Sequence, residues 1–184
     1  MSLAYIGLGA NLGPARSTLR WALRELEQLG SVRASALYRT EPLGSASQRW
    51  FVNAVAELRT DLEPWALLRA LLEIETRAGR PERRSRWAPR VLDLDLLLYD
   101  DRILCSTELS LPHPEFHARR FVLEPLAELA PELRDPRTRR SVRELLAKLQ
   151  DPLRVERIWA STLVGPPAWA GADPLWGHRA GRAP

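Results

Sequence analysis

The chain predicts an α+β fold in which an antiparallel sheet is backed by helices. Two stripes of apolar residues recur at helical period. Around them lie short runs rich in β-branched, aromatic and apolar residues, each bounded by turn formers. The resulting order is strand, helix, strand, strand, helix, strand: the ferredoxin-like βαββαβ core, here followed by C-terminal additions.

In order, Leu3 to Gly9 reads as the first strand and ends at the turn Asn11-Leu12-Gly13. Pro14 suits a first helical position, where its missing N–H costs nothing. Leu19, Trp21, Leu23, Leu26 and Leu29 mark one helix face, which Gly30 ends. Val32 to Thr40 is the second strand, and a turn-rich loop, Glu41 to Gln48, follows it. Trp50 to Leu58 is the third strand, with Phe51, Asn53 and Val55 on one face. Glu63-Pro64 opens the second helix, which carries Leu67, Leu68, Leu71, Leu72 and Ile74 and closes near Gly79.

A basic loop, Arg80 to Arg90, leads into a strand running from Val91. Beyond it the pattern predicts a strand within Leu104 to Leu111 and a rigid turn at Pro112-His113-Pro114. A helix from Phe121 to Leu129 follows, then a short helix to Leu149 opened by the capping box Ser141-Val-Arg-Glu144. A last strand covers Val155 to Trp159. Residues 1–160 are expected to form one domain, and 161–184 a tail rich in Pro, Gly and Trp without periodicity, disordered or draped over the surface.

With 184 residues, 45% of them hydrophobic and 27% charged, the chain has enough apolar material for a packed core. The net charge of +4 favours anionic partners weakly. Lys148 is the only lysine, so nearly all the positive charge sits on guanidinium forks suited to phosphates and carboxylates. A single cysteine, Cys105, excludes an internal disulfide framework, fits a reducing compartment, and is expected to be buried and inert. With no signal sequence or apolar span in view, the expected location is the cytoplasm.

The chemistry centres on Arg86-Trp87-Ala88-Pro89-Arg90-Val91-Leu92-Asp93-Leu94-Asp95. On a strand Leu92, Leu94, Leu96 and Leu98 share one face, while Asp93 and Asp95 share the other. Two carboxylates so close repel each other unless a cation lies beside them. Mg²⁺ suits such a pair, because it often takes one or two carboxylates together with substrate phosphates. The neighbouring arginines extend that reading to a polyphosphate. A purely structural alternative is an edge strand protected by its charges, beside a solvated basic loop.

Other patterns are less telling. Gly7-Leu-Gly9-Ala-Asn11-Leu-Gly13 places its third glycine one residue late for a dinucleotide fingerprint, and reads instead as tight packing of the strand end on the first helix. His113 and His117 have helical spacing, but Pro114 interrupts the face and no third soft ligand lies near. His113 reads better as a phosphate donor and His117 as a surface residue. Phe51 with Asn53 on the same strand face offers an aromatic plate beside an amide, suited to a flat, hydrogen-bonding heterocycle. No Ser-His-Asp or Cys-His arrangement emerges.

Taken together, these blocks resemble the 6-hydroxymethyl-7,8-dihydropterin pyrophosphokinase family of the folate pathway, over roughly residues 3–135. The resemblance rests on Ala4 to Leu12, Tyr38 to Gly44, Phe51-Val-Asn53-Ala, Ile74-Glu75 with Gly79-Arg80, the run Arg86 to Asp95, and Leu111-Pro-His113-Pro with Arg119-Arg-Phe121. It implies transfer of pyrophosphate from ATP to the pterin hydroxymethyl group, with release of AMP. It further implies that Asp93 and Asp95 bind two Mg²⁺ ions, and that Arg80 and Arg90 act on the phosphates in catalysis. ATP would also meet Glu75, Trp87, Ser110, His113 and Arg119. The pterin would lie among Thr40, Leu43, Phe51, Asn53 and Phe121. Loops 41–49 and 80–90 would act as lids that exclude water.

Leu72, Pro114 and Glu82 depart from one version of the family, where a glutamine, a tyrosine and an arginine can stand. The expected partners are ATP and the pterin, met by a monomer with no nucleic acid or membrane. Two alternatives keep the fold and change the chemistry: an RNA-binding ferredoxin-like module, or a two-metal nucleotidyltransferase.

Overall fold

A computed structural model describes residues 1–42, 48–79 and 89–158. Its elements are β1 (Ser2–Ala10), α1 (Ala15–Glu27), β2 (Ser31–Ala34), β3 (Leu37–Thr40), β4 (Phe51–Thr60), α2 (Pro64–Arg77), β5 (Asp93–Tyr99), β6 (Leu104–Cys105), β7 (Ser110–Leu111), α3 (Arg120–Leu129), α4 (Val142–Lys148) and β8 (Val155–Ile158). The main sheet runs β5-β1-β4-β3-β8, with β2 also on β4, and every pairing is antiparallel. When β2 and β3 are counted as one interrupted strand, the first four strands give the ferredoxin-like order.

The interruption has a local cause. Ala34 pairs with Ala56 but Tyr38 pairs with Asn53, so β2–β3 carries one residue more than β4 across the same span. That is a bulge. Ser35 bridges it, because its N–H donates to Val55 O at 2.9 Å and its Oγ accepts from Val55 N at 3.0 Å. The continuous second strand expected over Val32 to Thr40 is therefore two strands.

A second bulge falls in β5. Tyr5 pairs with Leu98 and Ile6 with Leu96, so Leu97 is the extra residue. Upstream of it Leu92, Leu94 and Leu96 join the core under α1 and α2, with Leu19, Leu23, Leu67 and Leu71. Downstream, Leu98 packs in the opposite layer with Val122, Leu123 and Leu126 of α3. The single face predicted for all four leucines breaks at Leu98, because one inserted residue reverses the alternation.

The chain ends of the elements follow elementary rules. Gly30, at φ +155°, lies where a Cβ would come within 2.0 Å of Arg59 O, so only glycine lets the chain turn from α1 against β4. Pro64 occupies the start of α2. Ser141 and Glu144 form the predicted capping box at α4, Glu144 N donating to Ser141 Oγ at 3.2 Å and Ser141 N to the Glu144 carboxylate at 2.7 Å. The strand expected over Leu104 to Leu111 is a two-stranded hairpin of β6 and β7. Cys105 is exposed on it rather than buried, since so short an outlying hairpin has no second layer to cover that side chain. The last strand pairs with β3. The tail expected over 161–184 lies outside the described residues.

Candidate active site

The odd-numbered residues of β1, β4 and β5 up to Asp95 turn away from α1 and α2, toward the face that α3 only partly covers. Past the N-terminal end of α3 this leaves an open cleft of about 890 Å³, its mouth included. The cleft is lined by Gly7, Gly9, Thr40, Phe51, Asn53, Arg90, Asp93, Asp95, Arg119 and Phe121, among others. Residues from five separate blocks of sequence thus meet at one surface.

Register explains how. Gly9 pairs with Asn53 on one side and Asp93 on the other, while Gly7 pairs with Val55 and Asp95. The central strand therefore presents bare backbone between an amide and a carboxylate pair, two inter-strand spacings or roughly 9–10 Å apart. A Cβ on Gly9 would sit 2.9 Å from Asn53 Oδ1, so any side chain there would push the amide aside. The expected packing of these glycines on the first helix is not what is found. The structure places Gly7 and Gly9 on the opposite face, as the floor of the cleft.

At the amide end, Asn53 is buried and its Nδ2 donates to Thr40 Oγ1 at 2.8 Å. That bond leaves Oδ1 as an acceptor at the floor. Phe51 lies two residues along, on the same face, and Phe121 lines the cleft from the start of α3. Together these side chains form an apolar slot with fixed hydrogen-bonding groups at one rim.

At the acidic end, burial is the largest influence pushing the Asp95 carboxyl above its usual range, and the Asp93 charge adds to it. His113, Arg119 and Arg90 pull the other way. Arg90 forms an ion pair with Asp93, and Arg119 pairs with Glu115 while its guanidinium lies 5.5 Å from the Phe121 ring centroid. His113 is pushed below its ordinary value chiefly by burial, against the opposing pull of Asp95. Its Nδ1 accepts from Glu115 N at 3.2 Å, so the neutral ring carries its proton on Nε2, free to donate.

Not every predicted residue lines the cleft. Glu75, 1% exposed, reaches β5 from behind, and its Oε1 accepts from Leu94 N at 2.8 Å between the two aspartates. It braces the strand edge that carries them. Ser110 sits on β7 and His113 beside the acidic end, both outside the lining. His117 is exposed, as expected. Leu43, Arg80 and Trp87 lie outside the described residues, as does most of both expected lids.

Asn11, outside the expected site residues, is buried and joins the roots of both loops. Its Oδ1 accepts from Arg90 N at 2.7 Å, and its Nδ2 donates to Arg49 O at 3.4 Å. Arg90 O in turn accepts from the N–H groups of Asn11 and Leu12 at 2.9 and 3.0 Å. The sequence signals for it are its place in the turn after the first strand and in the block Ala4 to Leu12 that carries the resemblance. Leu153, also unpredicted, lines the cleft from the C-terminal segment.

The donor set fits a divalent cation. Asp93 and Asp95 are hard oxygen ligands on one rigid strand, and burial beside a second negative charge disfavours the ionised Asp95 until a cation joins it. Among the described residues no third acidic, histidine or cysteine ligand completes a cage. That suits an ion which takes its remaining ligands from water and substrate phosphates.

A model of the 7,8-dihydro-6-hydroxymethylpterin-pyrophosphokinase family matches residues 5–131. A Methylorubrum extorquens protein named 2-amino-4-hydroxy-6-hydroxymethyldihydropteridine pyrophosphokinase is 44% identical over 161 residues, covering 86% of this chain and 99% of its own. A Pseudomonas aeruginosa protein of the same name is 48% identical over 146 residues, or 78% of this chain and 89% of its own. A crystal structure of Plasmodium falciparum HPPK-DHPS shares the fold, with TM-score 0.66 at 16% identity over 80% of this chain. The present chain spans 44% of that longer one.

Proposed function

The chain belongs to the 7,8-dihydro-6-hydroxymethylpterin-pyrophosphokinase family, and from that premise we propose that it transfers pyrophosphate from ATP to 6-hydroxymethyl-7,8-dihydropterin in folate biosynthesis. The pterin hydroxyl oxygen forms the new bond to the β-phosphorus. The bond from that phosphorus to the α,β-bridging oxygen breaks, AMP leaves with that oxygen, and the hydroxyl proton passes to solvent. The observation that carries the assignment to this cleft is the row Asn53–Gly9–Asp93 across three strands. It sets a heterocycle-reading amide and a carboxylate pair at opposite ends of one glycine floor.

In this reading Phe51 and Phe121 stack the pterin ring, and Asn53 with Thr40 reads its edge. Arg90, Arg119 and the Nε2 proton of His113 meet the phosphates. Arg90 now pairs with Asp93, so an arriving polyphosphate offers its guanidinium a second anion within reach. A donor that follows charge onto the transferring group stabilises the transition state more than the bound substrate. Glu75 keeps the aspartate strand in place. The bare floor lets the hydroxymethyl arm cross from the slot to the phosphates unobstructed.

Asp93 and Asp95 would hold Mg²⁺, which neutralises polyphosphate charge when bound. We assign the pyrophosphokinase unit to residues 1–160 and its place of action to the cytoplasm, where the free Cys105 thiol is at home. Among the described residues no helix is long and apolar enough to cross a membrane. Neither the RNA-binding nor the nucleotidyltransferase alternative is favoured by the family match. Against the RNA-binding module, two carboxylates on the cleft face would also repel a phosphate backbone unless a metal intervened.

The test is AMP release from ATP with Mg²⁺, with and without the hydroxymethyl-dihydropterin. Pterin-dependent AMP and pterin diphosphate in equal amounts are expected. AMP formation that ignores the pterin, or none at all, would overturn the reading.

A further inference from the structure

We propose that Leu153 sets the fit of the heterocycle slot, and that Asp151 and Arg154 are the positioning residues that clamp it there. The inference rests on the pterin reading of the cleft and concerns a stretch beyond residues 5–131, the part matched by the family model.

Asp151 to Arg154 spans the gap between the two walls of the slot. On the α3 side, an Asp151 oxygen accepts from Arg120 N at 2.9 Å, next to the slot residue Phe121. The other Asp151 oxygen accepts from Leu153 N at 3.0 Å, so one carboxylate fixes both the helix start and the turn that aims Leu153. On the β3 side, Arg154 N donates to Glu41 Oε2 at 3.2 Å, and its guanidinium makes two bonds to Glu41 Oε1 at 3.0 and 2.8 Å. Glu41 N answers with a bond to Arg154 O at 3.2 Å. Glu41 directly follows Thr40, the partner of Asn53. The Trp50 ring adds a further tie, with Arg39 and Arg154 guanidinium carbons 4.3 and 5.4 Å from its centroid.

Between these anchors Leu153 is half-buried and lines the cleft with Thr40, Phe51 and Phe121. An apolar side chain held from both sides at the rim does two things for a flat heterocycle. It supplies contact at the ring margin, and it limits the size of what enters. The chemistry it selects is an aromatic or dihydroaromatic bicycle without bulk on that margin. Pockets discriminate by such contacts modestly, by about tenfold per lost or added group.

The test is steady-state kinetics on the full chain, with pterin affinity measured separately by fluorescence titration. Leu153→Ala is expected to raise KM and Kd for the hydroxymethyl-dihydropterin about tenfold, leaving KM for ATP and kcat within twofold. Leu153→Met, which keeps the volume, should restore wild-type values. Arg154→Gln should weaken pterin binding in the same selective way, because the clamp loosens without touching the ligand. Unchanged pterin binding in folded Leu153→Ala overturns the proposal, as does an equal loss for ATP and pterin. Wild-type protein that binds no pterin overturns the parent reading as well, so the two failures are told apart by the unmutated chain.

Discussion

The Asn11 Oδ1 atom accepts the backbone N–H of Arg90 at 2.7 Å, a contact between residues 79 positions apart that fixes where the arginine beside Asp93 begins. The same side chain donates to Arg49 O, ahead of the strand that carries Phe51 and Asn53. Asn11→Ala leaves the part-buried N–H of Arg90 without its acceptor, which costs on the order of 1 kcal/mol. The expected result is a lower denaturation midpoint together with a fall in kcat larger than the rise in either KM. Thermal melts and AMP release measured on the same preparation check it. A variant that loses stability but keeps kcat would reduce Asn11 to a structural brace.

Gly9 controls the amide of the slot by being absent from it. A methyl group there meets Asn53 Oδ1 at 2.9 Å, and the amide can escape only by turning off its bond to Thr40 Oγ1. Gly9→Ala should therefore raise KM for the pterin by about tenfold or more, the scale of one lost hydrogen bond in a dry site. KM for ATP should hardly move. Equal effects on both substrates would mean that the floor, rather than the amide, had been disturbed.

Asp95 is a group the fold holds at a disadvantage. Burial and the Asp93 charge both push its carboxyl up, so in the absence of a cation the ionised form is poorly accommodated. Asp95→Asn removes that repulsion while keeping the shape. Its melting temperature without Mg²⁺ should equal or exceed that of the wild type, while turnover falls by about a thousandfold or more. Added Mg²⁺ should stabilise the wild type and leave the variant unmoved, a linkage effect readable in melts alone. A variant still stabilised by Mg²⁺ would place the ion elsewhere.

How far the sequence foretold this molecule depends on the range of each interaction. Asp93 and Asp95 could be put on one face because strand alternation is local, and so could Phe51 with Asn53. The same rule failed at Leu98, since the extra residue at Leu97 is set by pairing with β1 and not by its own neighbours in sequence. Ser35 hides the bulge between β2 and β3 for the same reason, as a polar residue whose hydroxyl completes a bond across to Val55. The resemblance supplied most of the candidate site at once, including Arg119 and Phe121, which no periodicity would have selected. It was silent on Asn11 as an anchor and on Leu153, because both act through contacts spanning much of the chain. Glu75 was expected beside the nucleotide. Its bond to Leu94 N needs the helix and strand packed together before it can be seen.

The last prediction concerns the sheet edge that carries β8. Tyr38, on β3, donates its hydroxyl to Glu128 of α3 at 2.7 Å, and Arg157 of β8 pairs with the same carboxylate at 3.1 Å. Burial chiefly, helped by the bond to Glu128, raises the Tyr38 phenol above its ordinary value of 10.0. The folded chain thus keeps this proton where the unfolded chain has already released it. The resulting stability is complete below pH 10 and is lost as pH climbs beyond it, by up to about 1.4 kcal/mol per pH unit. Tyr38→Phe should cost about 0.5–1.5 kcal/mol at neutral pH from the missing hydrogen bond. The gap between wild type and variant should then narrow above pH 10, because only the wild type has that contribution to lose. Urea unfolding at pH 8 and pH 11 measures both gaps. A difference that stays constant, or widens, would show that the phenol is not held protonated by this contact.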